Sequence, residues 1–190
     1  MIPIVVDPRH NALALIGHGQ AAVRRLELLL AGGAELTVFS DAPSAELVRL
    51  AGDRLQHRLP QAKELAAFRL LWIADLPLAQ AAPLARAAKA VGCLVNVEDV
   101  VVFCDFHNPS QVRRGDLLLT VSTGGRSPGL AARIRGQLAR TFGPEWGERL
   151  ARIGGQREVW RREARSLEDL ARLTNAAIDA EGWLSEQAKP

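Results

Sequence analysis

The sequence predicts an α/β fold built on a doubly wound parallel sheet, followed by a small strand-containing region and a helical C-terminal part. Three observations predict it. Apolar runs such as Leu70-Leu71-Trp72-Ile73-Ala74 and Cys93-Leu94-Val95-Asn96-Val97 are continuous rather than alternating, as in strands buried on both faces. Helical patterns separate these runs, which is the order that builds parallel sheets. The first run leads straight into a glycine turn, Gly17-His18-Gly19-Gln20-Ala21-Ala22, and a helix.

Ala14-Leu15-Ile16 is the first strand and Gly17-x-Gly19-x-x-Ala22 the turn after it. Gly17 suits the strand-to-helix turn, Gly19 has no Cβ to hold off a pyrophosphate, and Ala22 lets the helix pack close to the strand. The helix from Ala21 to Ala31 places Val23, Leu26, Leu29 and Leu30 at helical spacing and stops at Gly32-Gly33. Its free N–H groups and positive dipole end face the phosphate position. Glu35 to Asp41 is a second strand ending in an acid. Asp41 lies 24 residues after Gly17, close to the spacing of about 20 for an acid that binds the adenosine ribose. No Arg closely follows Asp41 to hold a 2′-phosphate, so NAD is expected over NADP. These features make the sheet Rossmann-like. The competing reading is a plain βαβ turn, with Ser40 or Asp41 capping the helix that follows Pro43.

Ala45 to Ala51 reads as a short helix, Leu55 to Leu59 as a third strand, Glu64 to Phe68 as a helical turn and Leu70 to Ala74 as a buried strand. Pro83 to Val91 is a helix closed by Gly92, and Cys93 to Val97 the next strand. Glu98 and Asp99 stand at its carboxyl end, where ligands of such sheets bind. Beyond Val101 the texture changes. Arg114-Gly115-Asp116 is a turn, Leu117 to Ser122 a strand, Thr123 to Pro128 a loop and Gly129 to Phe142 an amphipathic helix. Trp146 to Gln187 is helical, with Ser166 an N-cap. The expected divisions are a sheet domain over 1–104, a small region over 105–145 and a helical region over 146–190.

With 48% apolar residues among 190 the chain can bury a core, and with 5% aromatics and no Tyr that core is aliphatic. No apolar run approaches the ~20 residues of a membrane span, and the N-terminus lacks the pattern of a signal peptide. Cys93 and Cys104 are too few for a disulfide framework, so a reduced, cytoplasmic protein is expected. The net charge is +3, yet thirteen Arg and no Lys fall between Arg113 and Arg172. They read either as a solvated helix face with pairs such as Glu158 and Arg162, or as a surface for a polyanion. Nucleic acid is not expected, because the interleaved aromatics of a stacking platform are missing.

Asp99 leads the candidates for chemistry. A carboxylate at a strand end on the cofactor side can take a proton while a hydride leaves for nicotinamide. Glu98 should face away from it by strand alternation. Thr123, Gly124 and Arg126, in Val121-Ser122-Thr123-Gly124-Gly125-Arg126-Ser127-Pro128, form an anion-binding loop ahead of a helix that Ser127 caps and Pro128 begins. His107, in a polar loop, and Arg113 are further substrate-contact candidates. His18 lines the cofactor cleft without chemistry, and His10 and His57 are superficial. No His/Cys/Asp cluster holds a metal.

Gly17-x-Gly19-x-x-Ala22-x-Arg24-Arg25, Ala31 to Val38, Asn96-Val97-Glu98-Asp99 and Val121 to Pro128 occur in the order and near the spacing of the precorrin-2 dehydrogenase family. That family includes the N-terminal part of bacterial sirohaem synthase and the yeast-type dehydrogenase/ferrochelatase, and the chain resembles it over essentially its whole length. The resemblance implies oxidation of precorrin-2 to sirohydrochlorin with NAD, ferrous iron insertion in some members, and a homodimer held by the small central region. It implies that Asp99 is catalytic, that Gln20-Ala21 and Asp41-Ala42 contact NAD, and that Thr123 stands where sirohaem synthases carry a phosphorylation-linked serine. Ala74-Asp75-Leu76-Pro77 departs from the Thr-Asp or Thr-Asn pair usual there. The chain is expected to be a stand-alone form without the methyltransferase domain of the fused enzymes. An Arg-rich region suits a substrate fringed with carboxylates. The alternative from another class is a non-enzymatic NAD or redox sensor that binds a polyanion through its Arg-rich C-terminal half.

Overall fold

The computed structural model describes residues 1–164 and 166–184. Arg165 of the Arg-rich run and the end of the expected helical stretch, up to Gln187, lie outside the described residues. The chain divides into two compact units, Met1–His107 and Asn108–Pro190.

The first unit holds five parallel strands: β1 (Leu13–Gly17), β2 (Leu36–Phe39), β3 (Leu55–Gln56), β4 (Leu70–Ala74) and β5 (Leu94–Val97). Their order is β3-β2-β1-β4-β5. The chain runs outward from β1 to β3, then crosses back to β4 on the other side of β1. The topological switch point therefore lies between β1 and β4, where open sheets of this kind bind ligands. The ladder aligns Gly17 with Ala74 and Ile73 with Val97. Three helices cover the sheet: α1 (Gln20–Ala31), α2 (Ala45–Ala51) and α3 (Leu78–Ala90).

Residues on β1 and β4 are buried on both faces, as the continuous apolar runs require. Leu13, Leu15, Leu36, Val38 and Trp72 pack with Val23 and Leu26 of α1 and Leu47 of α2 in one layer. Ala14, Ile16, Leu71, Ile73, Val95 and Val97 pack with Ala81, Ala85 and Ala88 of α3 in the other. Each large aliphatic side chain so buried contributes about 1.5–3 kcal/mol. The two layers fix the height of every strand end, and so the level of the site.

Three local expectations need correction. The helix expected from Pro83 begins at Leu78 and carries Pro83 inside it. Pro83 is exposed, so its missing N–H and ring fall on the solvent side. Buried Ala81, Ala85 and Ala88 hold the helix to the sheet across it. The strand expected from Leu55 to Leu59 stops at Gln56, because Arg58 turns away to pair with Glu64 at 2.6 Å. Ser44, rather than Ser40 or Asp41, caps α2, accepting a hydrogen bond from the Leu47 N–H at 3.1 Å.

The second unit contains an antiparallel ribbon, β6 (Ser110–Arg114) with β7 (Leu117–Val121), and helices α4 (Pro128–Thr141), α5 (Trp146–Glu163) and α6 (Leu167–Glu181). Strand β6 escaped the sequence reading because Val112 is its only apolar residue, and the only one buried. Arg114 donates to the carbonyls of Phe142 and Ala139 at 2.9 and 3.2 Å, satisfying the C-terminal end of α4. Ser166 caps α6, accepting from the Asp169 N–H at 3.1 Å. Arg149 lies over the rings of Trp146 and Trp183, 5.0 and 5.5 Å from their centroids. Arg152 stacks on Trp183 and pairs with Glu181 at 2.6 Å. Glu158 pairs with Arg161, not with Arg162 as expected. Part of the Arg-rich run thus holds this unit together instead of facing a ligand. Among the described residues no helix is long and apolar enough to cross a membrane.

Candidate active site

The carboxyl edge of the sheet gathers three of the expected features, the glycine turn after β1, Asp41 after β2 and Glu98-Asp99 after β5, together with the loop after β4. Parallel pairing in register brings them to one edge.

Gly17 is required for space. A Cβ there would stand 2.3 Å from the Ala74 carbonyl oxygen and 2.9 Å from Ala22 Cβ, and Gly17 does not take a positive φ. The expected role in setting turn angles gives way to close packing of β1, β4 and α1. Gly19 is the N-cap of α1 and offers no side chain to it. The space where its Cβ would lie is 2.8 Å from Asp75 Oδ2. That oxygen accepts the Ala21 N–H at 2.7 Å. The first turn of α1 thus already holds an anionic oxygen, in the manner expected for a phosphate oxygen of a dinucleotide. The glycine turn fits that group.

At the end of β2, Asp41 is hydrogen-bonded to His18 Nε2 at 2.5 Å. His18, expected to line the cleft without chemistry, ties the glycine turn to the acid at the end of β2. Ala42 beside Asp41 is exposed, as is Gln20 at the start of α1.

Asp99 is exposed and has φ +61. Glu98 is partly buried and lies 3.7 Å from Arg25 of α1. Its Oε2 is buried without a hydrogen-bond partner, so the contact with Arg25 is ionic. Burial pulls the Arg25 guanidinium below its usual range, and the Glu98 charge opposes that. The two neighbouring acids therefore divide: Glu98 anchors α1 to the end of β5, and Asp99 is left to solvent. Cys104 and Asn96 brace the turn behind them, the thiol donating to the Val97 carbonyl at 3.2 Å and the amide to the Phe106 carbonyl at 2.8 Å. His107 follows, exposed.

In the second unit Thr123 Oγ1 accepts the Ser127 N–H at 3.3 Å and donates to the Ser127 carbonyl at 3.1 Å. Its hydroxyl closes the loop on itself. Gly124 and Gly125 have φ +65 and +77, and the Gly124 N–H bonds to Ser122 Oγ at 3.3 Å. Ser127 caps α4 through the Leu130 N–H at 3.3 Å, with Pro128 at its first position. Arg126 is exposed. Arg113 is half-buried, and its Nε has no hydrogen-bond partner. Among the described residues no group of three or more His, Cys, Asp or Glu is placed to hold a metal ion.

Asp75 and Arg25 were missed at this edge, and His18 was assigned to the cleft without its contact to Asp41. Asp75 was visible only as a departure from a family pattern, and the partners of His18 and Arg25 are remote in sequence.

A glycine turn whose first helical N–H holds an anion, an acid at the next strand end and a topological switch point define a Rossmann-like dinucleotide-binding protein. Residues 4–110 match the family described as putative NAD(P)-binding, and residues 114–141 match the sirohaem biosynthesis protein central family. The chain belongs to the family that unites precorrin-2 dehydrogenase with the N-terminal part of siroheme synthase. It is 33% identical over 205 residues to the siroheme synthase of Methylococcus capsulatus, covering 98% of this chain and 43% of that protein. Against the siroheme synthase of Chromobacterium violaceum it is 35% identical over 155 residues, covering 80% and 33%. The chain thus spans less than half the length of these relatives. Among solved structures, SirC, a precorrin-2 dehydrogenase, superposes with a TM-score of 0.74 at 25% identity, covering 99% of this chain and 94% of SirC.

Proposed function

We propose that this chain oxidises precorrin-2 to sirohydrochlorin with NAD, and that Asp99 is its catalytic carboxylate. The observation that carries the reading is the exposed acid at position 99, on the same sheet edge as the glycine turn, in a family whose solved member SirC is a precorrin-2 dehydrogenase. Gly17, Gly19, Gln20, Ala21 and Ala22 would hold the diphosphate end of the cofactor, and Asp41 and Ala42 the adenosine ribose. Bound NAD supplies an acceptor for hydride. Dehydrogenation also releases a proton, and the exposed Asp99 carboxylate, which Arg25 does not engage, would take it. Thr123, Gly124, Arg126, His107 and Arg113 are assigned to the carboxylate-rich periphery of the substrate. Exposed Arg126 and His107 suit that role, and Thr123 acts by shaping the loop.

The same reading has the chain acting as a cytoplasmic homodimer. Support comes from Leu117, Leu118 and Leu119, which remain partly exposed on the two-stranded ribbon even with α4 packed against it. A monomer by sedimentation at micromolar concentration would overturn that part. The activity is tested by NAD reduction with enzymatically generated precorrin-2, where no absorbance gain at 340 nm above the enzyme-free control refutes it. Ferrous iron insertion is decided separately, by supplying sirohydrochlorin and iron without NAD.

A further inference from the structure

We propose that Asp75 is a built-in occupant of the diphosphate position, and that its carboxylate must leave the first turn of α1 when a phosphorylated nucleotide binds. The inference rests on the dinucleotide-binding reading of the glycine turn and goes beyond it to the residue that sets its affinity.

Three observations meet at this residue. Asp75 Oδ2 accepts the Ala21 N–H at 2.7 Å. The same oxygen is 2.8 Å from the space kept open by the missing Cβ of Gly19, the space through which a diphosphate reaches the main chain in this kind of turn. Asp75 follows Ala74, which the ladder holds beside Gly17, so the carboxylate is delivered by a strand end that cannot drift from the turn. One N–H cannot serve a carboxylate and a phosphate oxygen at once. Two anions crowded on one helix end also repel. Because the main chain is fixed by pairing on β4, the carboxylate clears the position by turning its own side chain. The free protein thereby keeps its helix end satisfied without a ligand, at the cost of weaker binding to any nucleotide that carries phosphate.

The test is calorimetric titration of wild type, Asp75→Asn and Asp75→Gly with NAD, ADP and adenosine. Asparagine removes the charge and tolerates the left-handed backbone at this position, where φ is +53. Glycine removes the side chain and suits that φ fully, so it reports even if the asparagine variant is poorly folded. Both substitutions should tighten NAD and ADP by about 3–10-fold, the scale of a charge effect at a helix end, and leave adenosine within about two-fold. Equal or weaker NAD and ADP binding in both variants overturns the proposal, because Asp75 would then be neutral or a direct support of the cofactor. An equal gain for adenosine also overturns it, since the phosphates would not be what Asp75 opposes. If wild type and both variants bind none of the three, the dinucleotide reading itself fails and this assignment with it.

Discussion

Asp75 and Asp99 occupy matching positions on neighbouring strands, each two residues beyond the Ile73–Val97 register pair. They are the two non-glycine residues with positive φ among those described, at +53 and +61. A left-handed backbone at a residue with a Cβ costs about 1–3 kcal/mol, and aspartate tolerates it better than most. Both conformations fall at the carboxyl edge, one beside the glycine turn and one at the proposed catalytic position. The backbone strain is concentrated where a ligand is expected.

Replacing the carboxylate at position 99 tests the proposed chemistry. Asp99→Asn retains a residue suited to φ +61 and should lower kcat for precorrin-2 oxidation by about 10²–10⁴-fold. NAD affinity, measured by calorimetry, should stay within about three-fold, because Asp99 is not among the residues assigned to the cofactor. Full turnover in this variant would remove Asp99 from the mechanism.

The two turn glycines should respond differently to alanine. Gly17→Ala drives a Cβ into the Ala74 carbonyl, main chain that the ladder holds still. It should cost about 3 kcal/mol in chemical denaturation. Gly19→Ala meets only the tip of the Asp75 side chain, which can turn aside. Its stability should remain within about 1 kcal/mol of wild type, while NAD binding weakens because the new methyl fills the phosphate approach.

Asp41→Ala should weaken NAD by about ten-fold through loss of the ribose hydrogen bonds. It also frees His18, which Asp41 now holds. NADP, repelled by the Asp41 carboxylate, should lose less or gain. Parallel titrations with the two dinucleotides measure the change in preference, and an unchanged ratio would detach Asp41 from the ribose.

Ser127→Ala removes the α4 cap and should lower the stability of the folded chain by about 1 kcal/mol. Thr123→Val removes both hydrogen bonds to Ser127 and should do at least as much. Thermal melts compare them. A Thr123→Val variant as stable as wild type would show that the loop does not depend on this hydroxyl.

Burial, with a smaller effect from the Asp105 carboxylate, pushes the Cys93 thiol up to about 11. A thiol raised in the folded state favours folding fully below its ordinary range near 9.0, and that contribution is lost as pH rises toward 11. Native protein at pH 8 should therefore release no more than one thiol equivalent to Ellman's reagent before unfolding, leaving Cys93 unreacted. Two equivalents in the native state would contradict the burial.

Much of this protein is readable from local chemistry. Continuous apolar runs mark strands buried on both faces, Gly17-x-Gly19-x-x-Ala22 marks the turn, and Ser127 and Ser166 mark helix starts, because each of these depends on near neighbours in the chain. Strand β6 was hidden because one inward residue, Val112, gives no period to read. The interior Pro83 misled because its cost depends on which side of the helix meets solvent.

Tertiary structure alone decided who meets whom at the sheet edge. That Asp75 lies against Ala21, that His18 holds Asp41, and that Arg25 meets Glu98 follow from strand order and register. These pairs are 54, 23 and 73 residues apart along the chain. The amino-acid sequence by itself determined a phosphate-ready turn and an acid at a strand end. Only packing β4 beside β1 determined that an internal carboxylate reaches that turn first, because hydrogen-bonded pairing, unlike local propensity, acts between residues without regard to their distance along the chain.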